Sequence, residues 1–228
     1  MIETETRSGL GTITLARPEK RNALDPAGLD ALVGAVEAAT EPVVFLRGAG
    51  SAFCAGADLE VVNALDGEDA AEFARRGQRA TRAIEEAESV VIAGIDGPAR
   101  GGGVELALAC DIRLATPRAT FGEPGVANGL FGAWGGTVRL PQVCGLGDAM
   151  DLSLSGRVID AEEALRIGLV SRIVEEPERV ARGIAAHDPD SLRIVKRRLR
   201  DTSEAGLQEE AEAAAFASLL SRDPESGD

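Results

Sequence analysis

The sequence predicts an α/β protein built from layered strands and helices. Three observations carry this prediction. Short apolar runs are too continuous for a sheet with one wet face, helix-spaced segments alternate with them, and glycine-rich loops stand at the junctions. The first strand is read at 11–15 (GTITL), followed by the proline-containing loop ARPEKRNALD. The next element, 26–38, is a helix, with Leu29, Leu32, Val33 and Val36 on one stripe and Asp25 as N-cap before Pro26. A short buried strand follows at 42–46 (PVVFL), then the loop GAGSAFCAGAD. The 70–87 segment reads as a charged amphipathic helix, and 89–95 (SVVIAGI) as another buried strand.

Beyond residue 146 the pattern is mostly helical, with helices expected near 148–153, 161–167, 177–186, 192–200 and 207–221. Asp160 is an expected N-cap, with Glu163 placed to complete a capping box. The tail RDPESGD is expected to fray. The division expected from this pattern is a strand-rich core over 1–146 and a helical region over 147–228.

Composition narrows the function classes. Asp and Glu number 38 against 24 Lys and Arg, a net charge of −14, which repels nucleic acid and anionic lipid. Lys20 and Lys196 are the only lysines, and this acidic, lysine-poor, alanine-rich balance resembles proteins of salt-loving cytoplasms. No apolar run reaches 18 residues, so no membrane span is expected, and MIETETRSG does not read as a signal peptide. Cys54, Cys110 and Cys144 stand far apart without metal spacing, as reduced thiols of a cytoplasmic protein would. The single histidine, His187, lies in the polar segment AHDPDS and is read as a solvated loop residue. No GxSxG elbow, P-loop or strand-following GxGxxG occurs, and there is no tyrosine. What remains for chemistry is carboxylates, backbone N–H groups and shape.

One carboxylate stands out. In GPARGGGVELALACD, Glu105 is the single charged residue of a helix whose neighbours all ask for burial. A buried carboxylate without a counter-ion has its pKa raised, the condition for acid or base work near neutral pH. The other reading is a buried ion pair with Arg100 or Arg113, and the sequence leaves both open. Gly101–103 precede the helix, leaving its first N–H groups bare toward a developing negative charge.

Taken in order, LARPEKRNALD (15–25), FCAGADL (53–59), GPARGGGVELALACDIRLAT, ATFGEPGVANGLFGAWGGTVRLPQVCG and LSLSGRVIDAEEALRIGLVSRIV resemble the crotonase, or enoyl-CoA hydratase/isomerase, family over about residues 8 to 220. The resemblance implies a spiral of ββα units with a C-terminal helical region, assembled as a homotrimer or hexamer. It implies acyl-CoA as the small-molecule substrate, CoA being part of that substrate and no separate cofactor or metal being needed. It places the two oxyanion amides on Ala57 and Gly102 and the first catalytic glutamate on Glu105. CoA contacts are expected on Arg17, Lys20, Arg21, Ala23, Ala55, Ala57, Asp58 and Gly102.

The chain departs from the family's pattern at several points. The second hydratase glutamate follows the proline of FGQPE, where this chain has FGEPG, so Gly125 stands in its place and Glu123 two residues earlier. Glu60 stands where hydratases often have a phosphate-side lysine, Trp134 stands among residues that are usually small, and the C-terminus ends about one helix early. Hydration of a trans-2-enoyl-CoA is the leading expectation, with Glu123 as candidate second acid. The alternatives are another enolate reaction (isomerisation, decarboxylation, thioester hydrolysis) or a CoA-binding protein without catalysis. Trp134 is read either as core packing or as a wall narrowing the acyl pocket.

Overall fold

The computed structural model describes residues 1–221, and the expected frayed tail lies outside them. Strands β1 (Ile2–Arg7) and β2 (Leu10–Leu15) form an antiparallel hairpin. Helix α1 (Pro26–Glu37) follows, capped by the Asp25 carboxylate, which accepts the Gly28 N–H at 2.8 Å. Then come β3 (Val43–Gly48), α2 (Leu59–Val62), α3 (Gly67–Glu86), β4 (Val90–Ile95) and β5 (Pro98–Arg100). Helix α4 (Gly102–Ala109), β6 (Ile112–Ala115) and β7 (Thr120–Gly122) complete the next turn of chain.

The chain continues through α5 (Gly136–Ser155), β8 (Val158–Asp160), α6 (Ala161–Arg166) and β9 (Arg172–Ile173). Helices α7 (Pro177–Ala185), α8 (Pro189–Leu199) and α9 (Ala205–Leu220) close the described chain.

Two sheets result. The larger has the order β1-β2-β3-β4-β6-β9, with every neighbouring pair parallel except the opening hairpin. The smaller has the order β5-β7-β8. Each turn of chain lays a strand in the large sheet, crosses into the small one, and then adds a helix. Thus β4 leads to β5 and α4, and β6 leads to β7. One turn earlier, Cys54 makes the equivalent bridge to Ala99 of β5. This repetition is a ββα spiral.

The large sheet is covered on both faces, so β4 reads as an unbroken apolar run, while β2, which reads as alternating, buries Thr12 and Thr14 as well. One face carries the main core, including Leu29, Leu32, Leu46, Phe53, Ile84 and Leu106. The other face packs Val43, Phe45, Ile92 and Leu114 under Ala181 of α7.

The structure corrects several sequence readings. Residues 2–7, to which the sequence reading gave no element, form an exposed edge strand, because Ile-Glu-Thr-Glu-Thr-Arg can pair with β2 along one side. The region after residue 146 supplies β8 and β9 to the two sheets as well as helices. Helix α5 begins at Gly136, well before the expected 148, and bends at Gly145, where φ is 78°. At α6 the Asp160 cap forms on the Glu163 N–H at 2.9 Å. The Glu163 carboxylate, however, turns to Arg157 and Arg166 instead of closing a capping box. His187 is exposed, as expected. Among the described residues no helix is long and apolar enough to cross a membrane.

Candidate active site

Helix α4 is buried around its whole circumference, and Glu105 is buried with it at 2 % exposure. Neither expected arginine pairs with it. Arg100 donates to the Ala99 and Thr120 carbonyls and to Thr120 Oγ1. Arg113 donates to Leu169 and Cys110. Instead, Glu105 Oε1 accepts two backbone N–H groups, from Trp134 at 2.7 Å and Gly136 at 2.6 Å. The carboxylate thus sits on the amino end of α5, a position that favours its ionised form. Oε2 receives no hydrogen bond among the described residues, and Glu105 lines a cavity. Burial dominates the balance and pushes the Glu105 pKa up to about 7, against the opposing pull of the two amides and Arg139.

A second carboxylate meets it. Glu123 follows β7 and is 7 % exposed. A Cβ built on Gly132 would lie 3.0 Å from Glu105 Cδ and 3.0 Å from Glu123 Oε2, so the two carboxyl groups converge on one point beside this glycine. Glu123 Oε1 is buried without a hydrogen-bond partner among the described residues. Burial, and then the charge of Glu105, push the Glu123 pKa up to about 8. The two environments differ in kind. Glu105 has fixed donors for its charged form, whereas Glu123 has none among the described residues, so a proton is held more firmly on Glu123 than on Glu105.

The family position for the second acid is closed. A Cβ on Gly125 would lie 2.9 Å from the Leu130 carbonyl oxygen and 2.9 Å from Phe131 Cα. The Leu130 N–H also donates to Gly125 O at 2.9 Å, drawing the 129–131 segment against it.

The two oxyanion candidates approach from different turns of the spiral. Gly56, at φ 88°, carries the loop past the start of α4, and a Cβ there would lie 2.8 Å from Gly102 N. Ala57 and Gly102 both line the cavity, and neither N–H has an acceptor among the described residues. The loop is pinned from a distance. Asn22, buried at 1 %, adopts φ 60° and donates its amide to the carbonyls of Ala49, Ala52 and Phe53 at 2.9, 2.8 and 3.2 Å.

The expected CoA contacts divide. Ala55, Ala57 and Gly102 line the cavity, whereas Ala23 is buried away from it. Arg17 is held by Asp58 at 2.8 Å, and Asp58 also caps α2 through the Glu60 N–H. Lys20 pairs with Glu60 at 2.5 Å. The Arg21 side chain is exposed and has no ion-pair partner among the described residues. The cavity itself has a volume of about 290 Å³ and is walled mainly by apolar side chains, with Glu105 and Glu123 among its lining residues.

Sequence reasoning missed the groups that position Glu105. The Trp134 and Gly136 amides belong to FGAWGG, and the glycine cluster there was the available signal. A Cβ on Gly136 would lie 2.9 Å from Glu105 Oε1, so this glycine lets the carboxylate reach the amide. Asn22 was also missed. Thr81 Oγ1 donates to the Trp134 carbonyl at 2.7 Å, and Arg139 pairs with Glu85 at 2.5 Å, which together fix the start of α5.

A family model described as enoyl-CoA hydratase/isomerase matches residues 5–225. The short-chain-enoyl-CoA hydratase of Clostridium acetobutylicum is 36% identical over 203 residues, covering 84% of this chain and 78% of that protein. The crotonyl-CoA hydratase of Syntrophomonas wolfei is 40% identical over 182 residues, covering 78% and 70%. The crystal structure of an enoyl-CoA hydratase from Bacillus anthracis superposes with a TM-score of 0.90 at 30% identity, covering 97% of this chain and 92% of that one.

Proposed function

The chain belongs to the enoyl-CoA hydratase/isomerase family, and from that premise we propose that it adds water across the double bond of a trans-2-enoyl-CoA. The observation that carries this reading is the pair of unequal carboxylates, Glu105 and Glu123, which line one cavity and converge on a gap beside Gly132. In the proposed reaction Glu105 Oε2 takes a proton from a water held in that gap, and the hydroxyl adds to C3 of the enoyl thioester. The charge that develops on the thioester oxygen is met by the Ala57 and Gly102 N–H groups, each good donor contributing about 3 kcal/mol. Glu123 then delivers its proton to C2, and exchange returns the pair to its starting state. Two proton transfers need one base and one acid, and the two environments supply both.

Binding follows the same logic. The CoA portion supplies affinity remote from the reacting carbons. Ala55, Ala57 and Gly102 border the thioester, and Arg21 is the base left free to meet phosphate, since Arg17 and Lys20 are engaged by Asp58 and Glu60. A homotrimer or hexamer in a salt-loving cytoplasm belongs to the same reading. The exposed Val138, Leu146, Met150 and Leu154 of α5 support the assembly by offering apolar surface for burial.

The direct test is loss of the enoyl-thioester absorbance of crotonyl-CoA in the presence of the protein, assayed at low and molar salt. Steady hydration to 3-hydroxybutyryl-CoA is the expected result. Binding of acetoacetyl-CoA without turnover of any 2-enoyl-CoA would overturn the hydratase reading.

A further inference from the structure

Building on the hydratase reading, we infer that Trp134 is the specificity-determining wall of the acyl site and restricts it to short 2-enoyl chains. The cavity of about 290 Å³ lies at the lower limit of small-molecule sites, roughly 300–1,000 Å³. It must hold the thioester as well as the acyl carbons beyond it.

Trp134 is 3 % exposed, and its indole is wedged between two helices at glycines that leave room for it. A Cβ on Gly102 of α4 would lie 2.3 Å from Cζ3, and one on Gly77 of α3 would lie 1.9 Å from Cδ1. Phe73 meets the ring edge-on, with centroids 5.9 Å apart and planes at 71°. The backbone on both sides is tied, the N–H to Glu105 and the carbonyl to Thr81. A ring held at both glycines and at its own backbone cannot swing aside for a longer chain.

The geometry also couples length selection to chemistry. The indole edge lies against Gly102, whose N–H is one of the two proposed oxyanion donors, so a chain seated with its carbonyl at that donor starts beside Trp134. Leu65 and Phe73 of the 65–74 segment line the same cavity. A larger acyl group would have to displace the carbonyl from the oxyanion donors, lowering kcat as well as affinity.

The experiment measures kcat/KM for the four-, six- and ten-carbon trans-2-enoyl-CoA thioesters with the wild type and with Trp134→Leu and Trp134→Ala. Dissociation constants of butyryl-CoA and decanoyl-CoA are measured by calorimetry on the same proteins. The wild type is expected to favour the four-carbon substrate over the ten-carbon one by about 100-fold. Each methylene newly accommodated is worth about 4-fold, so Trp134→Leu should raise the ten- to four-carbon ratio by at least about 10-fold. Trp134→Leu keeps an apolar filler if the alanine variant does not fold. Equal wild-type activity on four and ten carbons, or a ratio unmoved by either folded variant, overturns the inference. If no enoyl thioester is hydrated but butyryl-CoA binds more tightly than decanoyl-CoA, and Trp134→Leu erases the difference, the length limit stands and the hydratase reading falls.

Discussion

Glu105→Gln is expected to lower kcat for crotonyl-CoA hydration by about 10³-fold while leaving the protein folded. The geometry separates the two effects. Oε1, which accepts the Trp134 and Gly136 N–H groups, becomes an amide oxygen that still accepts both. Oε2, the unbonded atom assigned to the water, becomes an amide nitrogen that cannot take a proton. Stability is expected to change in a pH-dependent way. Burial raises the folded pKa from 4.5 to about 7, so the native state holds its proton more tightly than the unfolded chain. For a carboxylic acid raised in this way, stability falls as pH climbs through that window. The glutamine variant has no such titration at residue 105. Its thermal midpoint should equal the wild type's in mild acid and match or exceed it above pH 7. Turnover within a few-fold of wild type would remove Glu105 from the mechanism.

Glu123→Gln is expected to lower kcat by about 10²- to 10³-fold, because it removes the proton donor and leaves the Glu105 base in place. The companion variant separates relocation of an acid from its loss. If Glu123 is the second acid moved two residues upstream, adding Gly125→Glu to the Glu123→Gln background should not restore activity. The Leu130 carbonyl and Phe131 Cα already lie within 2.9 Å of where its first side-chain carbon would be. A glutamate there must push the 129–131 segment away, and that segment continues into Gly132 and the Trp134 amide that holds Glu105. The double variant is therefore expected to be no more active than Glu123→Gln, with a lower thermal midpoint. Recovery of wild-type rates would mean that position 125 is the natural seat of the acid and that Glu123 is only a buried side chain.

Much of the fold was legible because its signals are local. The apolar runs at 42–46 and 89–95 fall in the strands β3 and β4, and Asp25 and Asp160 cap the helices they precede. Glu105 was legible for a related reason, since a lone charge in VELALAC can only be buried. The small sheet was not legible. Its strands β5, β7 and β8 have three residues each, and the tertiary crossing between sheets defines them. Nor could sequence decide between a catalytic Glu105 and an ion pair with Arg100 or Arg113. That depended on where two guanidinium groups point, and both point to backbone carbonyls. The amides of Trp134 and Gly136 lie 29 and 31 residues away from Glu105, a separation that no local pattern encodes. Glu123 was named as a candidate from its motif alone, and its approach to Glu105 across the cavity is a tertiary fact that no local pattern shows.

The central claim is that two carboxylates in unequal surroundings share one proton, Glu105 ionised and Glu123 protonated. It is tested most directly by kcat/KM for crotonyl-CoA as a function of pH. The free enzyme's essential base and acid set the two limbs of that profile. With the pair titrating near 7 and 8, a narrow bell is predicted, rising as Glu105 loses its proton and falling as Glu123 loses its own, with the maximum between those values. A profile flat from pH 6 to 9, or one with an acid limb alone, would contradict it.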